Sequence, residues 1–458
     1  MNREPPLGLT LSAPKISARQ LLLISLLVSL LAAALFTRFY RLGTPDEFYF
    51  DEIFFPTTAQ EILLGDPDAW EFFGHENTHP PLSKLFMAGG MAIFGVVTSG
   101  SITGEIENPF AWRFFGALAG VGSVLFIYLL AKRLFRSEIA GLAAGFLMVF
   151  EGLFFVQSRI ATPDTYLLFF ILGAVYFVIS KRPLLSGIFL GAALATKWIA
   201  LLTLFPIGLF LIYSFFQAER SRRRQFLAEA TLAVPLFFLL VPFSIYLLTY
   251  VPMLFSGHSL GDVWDLNRQA FEFHSNLEAT HPYQSPWNTW PIMMRPIFLY
   301  VSSGGAVIYS LGNPIIYWVG LPALAFALWQ GVRGLRARFE EATSRFSLSG
   351  SLGPEQASLL FVVLTYLGFL LPWVIQPRIT FIYHYLPSLA FLLLALAYAV
   401  HWLWQQRWGR APAIAFLAAA ALTFVYFYPH LAAVDVSDGL AESYFWFDSC
   451  TPVRWCWR

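Results

Sequence analysis

Long apolar runs recur along the whole chain, and they leave few folds open to it. Gln20 to Thr37, Phe114 to Leu130, Tyr166 to Ile179 and Phe381 to Trp404 carry almost no charge. A helix needs about 20 mostly apolar residues to cross a bilayer's hydrocarbon. The runs do not alternate as barrel strands do. Charged residues make up 12% of the chain and mean hydropathy is +0.61. A soluble domain has about 25% charged residues, so this chain cannot clothe a water-facing surface of its size. The fold class expected is an all-α polytopic membrane protein. A net charge of +1 gives no bulk attraction to nucleic acid.

Basic clusters set the topology. Arg3, Lys15 and Arg19 precede the first run. Later clusters are Lys132, Arg133 and Arg136; Lys181 and Arg182; Arg220, Arg222, Arg223 and Arg224; Arg333, Arg336 and Arg338; and Arg407 and Arg410. Cationic loops stay on the cytoplasmic side. The run Leu85 to Val97 is short for a crossing and starts after Pro80 and Pro81, so it reads as re-entrant or interfacial. All dense cationic loops then share one side, with about eleven spans (eleven to thirteen) and the C-terminus outside. Leu184 to Phe216 reads as two short helices with a turn near Thr196–Trp198. No small-residue cleavage site follows the first run, so no cleavable signal peptide is expected.

This divides the chain into 1–250 with a first outer loop at 38–112, an outer loop at 251–311, a four-helix module at 312–430 and an outer tail at 431–458. In the second outer loop Val263, Leu266, Ala270, Phe273 and Leu277 recur at three- and four-residue steps, one face of a helix. That helix lies on the membrane surface or packs against other helices. Cys450 and Cys456 are either incidental thiols or a short disulfide in an oxidising compartment.

The chemistry-bearing residues gather at outer helix ends. Thr44 to Phe86 is polar, acidic and aromatic. It holds the adjacent carboxylates Asp51 and Glu52, and either could take a proton from a hydroxyl or simply be solvated at a helix start. His79-Pro80-Pro81-Leu82-Ser83-Lys84 follows Glu76. Lys84 could pair a lipid phosphate or snorkel. Arg159 and Asp164 lie between two spans, as a structural pair or a site. Lys197, within apolar sequence, needs a partner or a cavity. Arg295, Arg378, Tyr383 and His384 could hold an anionic headgroup or anchor the interface. Asp66 and Asp68 flank a proline, as a turn or as ligands of a divalent cation. The sequence has no zinc-spaced cluster, phosphate-cradling glycine loop or serine nucleophile elbow.

Together these motifs resemble the protein O-mannosyltransferase family, membrane glycosyltransferases that use a lipid-phosphate sugar donor. FDEIFF, HPPLSKL, AWRFFGAL (with Arg113), SRIATPDTYLLFF, ATKWIAL, GNPIIYWVGLP and RITFIYHYLPSLAF resemble the family's motifs in order. The second outer loop leaves no room for the β-trefoil insert of eukaryotic members, so the chain looks like a prokaryotic one. Glu76 matches only loosely the acidic residue that often precedes His-Pro-Pro, and Pro163 beside Asp164 is unusual.

The resemblance implies a GT-C-type architecture and transfer of mannose, with inversion, from a polyprenyl-phosphate donor to Ser or Thr hydroxyls of exported proteins. Asp51 would be the base, and Glu52 would support it or orient the acceptor. Lys84, His79, Arg295, Arg378, Tyr383, His384 and Lys197 would hold donor phosphate and sugar. Glu76, Arg113, Arg159 and Asp164 would shape the acceptor side of the pocket. No cofactor is demanded, and a divalent cation and a dimer both stay open. The implied location is a prokaryotic inner membrane with the site on its periplasmic face. The alternatives are a related transferase with another sugar or with a lipid or glycan acceptor, and a transporter, which would place ionisable residues near span midplanes.

Overall fold

The computed structural model describes residues 17–94, 108–344, 353–376, 378–450 and 455–458, with the backbone alone at 335–344. Arg3, Lys15, the end of the Leu85–Val97 run and the side chains of Arg336 and Arg338 lie outside the described residues. The helices in chain order are α1 (Ala18–Phe39), α2 (Phe55–Leu64), α3 (Leu82–Ile93), α4 (Pro109–Phe135), α5 (Glu138–Val149), α6 (Gly152–Gln157), α7 (Asp164–Ile179), α8 (Pro183–Leu194) and α9 (Leu204–Gln217). They continue with α10 (Arg223–Pro235), α11 (Val241–Leu248), α12 (Val251–Phe255), α13 (Leu260–Asn276), α14 (Pro314–Ser344), α15 (Pro354–Leu370), α16 (Leu386–Gln405), α17 (Arg410–Leu431) and α18 (Asp438–Ser443).

Among the described residues, eight helical stretches are long and apolar enough to cross a membrane. Leu82–Ile93, Glu138–Val149, Asp164–Ile179 and Pro183–Leu194 are apolar but shorter. The turn expected near Thr196–Trp198 separates α8 from a 3-10 turn at Trp198–Thr203 that leads into α9. The span at α16 is apolar on every side and is 78% buried, so it forms the bundle's axis, whereas those at α1 and α10–α11 are 11% buried and form its rim. Gly90 lets α3 lie against α4: a Cβ there would come within 2.2 Å of the Ala111 carbonyl.

Two buried arginines and a glutamate lock one end of the bundle. The Arg159 guanidinium donates to the Thr37, Arg38, Tyr40 and Arg41 carbonyls (2.7–3.1 Å) around the point where α1 stops. Arg38 does the same for α5 at Met148 and Val149, at 2.9 and 3.0 Å. Glu151 accepts from the N–H groups of Leu153 and Phe154 at the start of α6 and from that of Asn313, just before α14. Hydrogen bonds to charged groups contribute about 1.5–3 kcal/mol each, so this loop end is rigidly tied. The opposite end carries the basic loops.

Over the loop end lies an outer layer. Strands β1 (Ile297–Val301) and β2 (Val307–Ser310) form an antiparallel hairpin with Ile297 opposite Ser310. The all-helical expectation omitted it, although β-branched and aromatic residues flank a Ser-Ser-Gly-Gly turn with Gly305 at φ +88°. In α13, Val263 and Leu266 are buried against Trp70, Tyr250 and Met253, and Ala270 on the same face is buried too. The stripe therefore packs on protein, while Phe273 is exposed and Leu277 falls past the helix end. Leu260, Trp264 and Phe271 lie bare on another face. Cys450 and Cys456 form a disulfide, and Trp457, fully buried, donates to the Met293 carbonyl at 2.9 Å.

Candidate active site

The first outer loop is pinned before it presents anything. Arg113, in the first turns of α4, donates to the Leu42, Pro45 and Glu47 carbonyls (2.7–3.1 Å) and grips Glu52 through Nε at 2.8 Å and Nη2 at 2.7 Å. Glu52 also accepts the Ala161 N–H at 2.9 Å and is fully buried. Glu52 is thus occupied as the buried counter-ion of Arg113. Phe50 sits at φ +53°, a left-handed conformation uncommon for a bulky residue, just before the two carboxylates take different surroundings.

Asp51 is half-buried, and among the described residues nothing bonds its carboxylate. Its pKa is pushed up to about 6, chiefly by burial. The Lys197 ammonium pulls it down, and the Asp164 and Glu76 carboxylates push it up. A carboxylate beside a cation yet unpaired, ionising close to neutrality, is suited to accept a proton.

The His-Pro-Pro segment is held from below. Leu82 N–H, opening α3, donates to the Ala195 carbonyl at the end of α8, at 3.0 Å. Lys84 is fully buried. Its ammonium donates to the Glu76 and His79 carbonyls, to Asn77 Oδ1 (3.0 Å) and to the Glu76 carboxylate (3.3 Å). No donor of Lys84 is left for a lipid phosphate. The residue fastens the Glu76–His79 turn instead. Thr78 Oγ1 donates to the other Glu76 oxygen.

A cavity of about 330 Å³ opens beside that turn. His79, Lys197, His274, Arg378 and His384 supply its polar lining, and Trp198 and Trp373 are among its apolar walls. Lys197, at the entry to the α9 span, bridges both Asp164 oxygens at 3.0 and 3.1 Å and lies 5.5 Å from the centre of the Tyr383 ring. His384 stacks on Tyr383 and packs edge-on against Trp373, each at 4.5 Å.

His274 was not singled out by the sequence analysis. It lies on α13, its Nε2–H donates to the Thr78 carbonyl at 2.8 Å, and its Nδ1 accepts from Arg378 Nη1 at 2.6 Å. These partners fix the neutral tautomer. Burial first, then the Arg378 charge, push its pKa down to about 4. His79 stacks on His274 at 5.0 Å and is held neutral by burial and by Lys197. Arg378 Nε is buried without a partner, and no carboxylate pairs with the guanidinium among the described residues.

The structure thus joins Asp51, His79, Asp164, Lys197, Arg378, Tyr383 and His384 into one neighbourhood. It leaves others outside. Arg113 and Arg159 bind main-chain carbonyls, and Glu76 anchors Lys84. Arg295 lies near Tyr283 and Tyr309, away from the cavity lining. The Asp66 carboxylate accepts the Asp68 N–H at 3.0 Å and caps a turn. Among the described residues, no group of three or more His, Cys, Asp or Glu is placed to hold a metal ion. Arg38 and Glu151, the other residues that sequence reasoning missed, were detectable as ionisable side chains in apolar runs. His274 carries no such signal.

Chemically, the cavity has one cation neutralised by Asp164, one that is not, and neutral imidazoles between aromatic walls. It favours an anion joined to an apolar body, next to a base.

Two family profiles match the chain. One, described as dolichyl-phosphate-mannose-protein mannosyltransferase, covers residues 28–254. The other, the C-terminal four-transmembrane region of protein O-mannosyltransferase, covers 259–450. A polyprenol-phosphate-mannose–protein mannosyltransferase of Mycolicibacterium smegmatis is 28% identical over 386 residues, 66% of this chain and 70% of that protein. Its namesake in Corynebacterium glutamicum is 23% identical, covering 81% of each chain. The Saccharomyces cerevisiae protein O-mannosyltransferase Pmt1–Pmt2 complex, solved with the sugar donor bound, contains a chain that superposes with TM-score 0.79 at 16% identity, over 95% of this chain and 94% of that one.

Proposed function

The chain belongs to the dolichyl-phosphate-mannose-protein mannosyltransferase family, and from that premise we propose that it transfers mannose from a polyprenyl-phosphate donor to Ser or Thr hydroxyls of exported proteins. The observation that supports this reading most is the unpaired Asp51 carboxylate, raised to about 6 and within reach of the charge on Lys197, which lines a cavity whose Arg378 has no counter-ion among the described residues. The acceptor Oγ attacks C1 of mannose from the face opposite the phosphate. The C1–Oγ bond forms, the bond from C1 to the phosphate oxygen breaks, and the anomeric configuration inverts. Asp51 takes the hydroxyl proton, and the lipid phosphate keeps the bonding electron pair.

A phosphate leaves without an acid if its growing charge is met by preorganised donors. Arg378 and Lys197 are those donors. His274 is a positioning residue: by occupying Nη1 it aims the remaining guanidinium N–H groups, the unpartnered Nε among them, at the phosphate. His79 and His384, held neutral by burial, bound the sugar. Glu52 and Arg113 act through the loop that presents Asp51. The clustering of the cationic loops at the other end of the bundle supports a site on the outer face of a prokaryotic cell membrane.

The test is incubation of the purified protein with radiolabelled polyprenyl-phosphate-mannose and a Ser/Thr-containing peptide. Alkali-labile mannosyl peptide is expected. Label appearing only on a lipid or glycan acceptor, or use of another sugar in preference to mannose, would overturn the reading.

A further inference from the structure

At the basic end of the bundle, opposite the candidate site, the last turns of α4 and α7, most of α9 and α10 and the first turns of α15 stand around a groove of about 1540 Å³. It is bordered by the α9 and α10–α11 spans, which are only 22% and 11% buried. Small-molecule sites occupy about 300–1,000 Å³, so this space suits something longer. Its depths are apolar, with Phe210, Ile212, Phe226, Phe238, Phe361 and Leu364 among the walls.

Its mouth is not apolar. Five basic side chains and two acidic ones line it. Lys132 is paired with Glu138 at 2.7 Å, and Arg222 lies 3.8 Å from Glu219. Arg133, Arg136 and Lys181 are exposed and have no carboxylate partner among the described residues. The rule that keeps cations cytoplasmic accounts for their side of the membrane. It does not account for their convergence on the rim of an apolar cleft whose walls run down into the bilayer.

We propose that the groove is a binding site for an anionic glycerophospholipid of the leaflet next to the basic loops. Its acyl chains lie against α9, α10 and α15, and its phosphodiester sits between Arg133, Arg136 and Lys181. The charge of the mouth selects an anionic headgroup, and the depth and apolarity of the cleft select a membrane lipid over a free phosphate. The site is remote from Asp51 and stands independently of the transfer reaction.

The test uses the full chain, purified in detergent, stripped of lipid and offered phosphatidylglycerol and phosphatidylcholine of matched chains, with native mass spectrometry as readout. Phosphatidylglycerol is expected to be retained at least tenfold better. The triple variant Arg133→Gln, Arg136→Gln, Lys181→Gln should erase that preference. Ala233→Trp, which fills the wall and keeps every charge, should lower retention of both lipids, and it serves if the triple variant does not fold. Equal retention of the two lipids by the unmodified protein would overturn the proposal. So would retention unaltered by Ala233→Trp, or preferential capture of added polyprenyl phosphate or glycerol phosphate.

Discussion

Asp51 and Glu52 are neighbours that one conservative change should drive in opposite directions. Removing the charge at Asp51 removes a base that contributes typically 10²–10⁴-fold, so Asp51→Asn should lose at least a hundredfold in turnover. It should also stabilise the protein. The Asp51 pKa rises from 3.8 unfolded to about 6 folded. At about 1.4 kcal/mol per unit, keeping this carboxylate ionised costs about 3 kcal/mol above pH 6. A raised carboxylate pKa means that the folded state binds the proton more tightly. The cost is therefore full above pH 6 and gone below pH 4, and the gain in the Asn variant must fade over that interval. Glu52→Gln instead strands the buried Arg113 charge, and losing one partner of a buried pair costs about 3–5 kcal/mol. Thermal melts followed by tryptophan fluorescence at pH 7.5 and pH 4.5, alongside transfer at saturating donor, read both effects. Asp51→Asn turning over within tenfold of the unmodified enzyme would refute the base assignment. Glu52→Gln melting with the unmodified protein would refute the division of roles.

Arg378→Gln should raise the donor KM at least tenfold with a smaller effect on the acceptor KM. His274→Ala should do the same through the lost 2.6 Å contact, and His274→Asn, which keeps an acceptor near Nδ1, should recover part of it. The kcat/KM profile should fall on its acid side with an apparent pKa near 6, because Asp51 must be ionised to act. Since the Lys197 ammonium lowers that value, Lys197→Ala should move the limb to higher pH, and an unmoved limb would detach Lys197 from Asp51. Lys84→Ala should lower the melting temperature markedly, because the Glu76–His79 turn loses its fastening. A variant that melts normally but has a raised donor KM would restore Lys84 to the phosphate site.

The bundle was legible because apolar run length and cation placement act locally, and each can be read without knowing what packs where. The boundary of α8 and the turn before Trp198 came from the same signals. The site was legible only as a set of residue types. Lys84 and Lys197 look alike in sequence, each a lysine beside an apolar helix. They separate only when the fold sets Lys84 under a turn of carbonyls and Lys197 beside Asp164 and a cavity. Asp51 and Glu52 likewise differ through Arg113, a contact 61 residues away along the chain. His274 gave no signal, because an exposed-looking histidine on an amphipathic helix has no periodic or compositional mark. Arg295 shares the residue type of Arg378 but lacks its place.

Asp51, His79 and Lys197 come from the stretch matched by one family profile, and His274, Arg378 and His384 from the stretch matched by the other. The exposed bend at Phe255–His258, with Gly257 at φ +96°, lies at the seam. With the roles proposed above, neither half carries a complete centre, so cutting the polypeptide at that bend should give two inert fragments whose transfer activity returns only on reassembly. On that reading, a half joined to a foreign partner would need the contact between His274, itself held by Arg378, and the Thr78 carbonyl to be rebuilt.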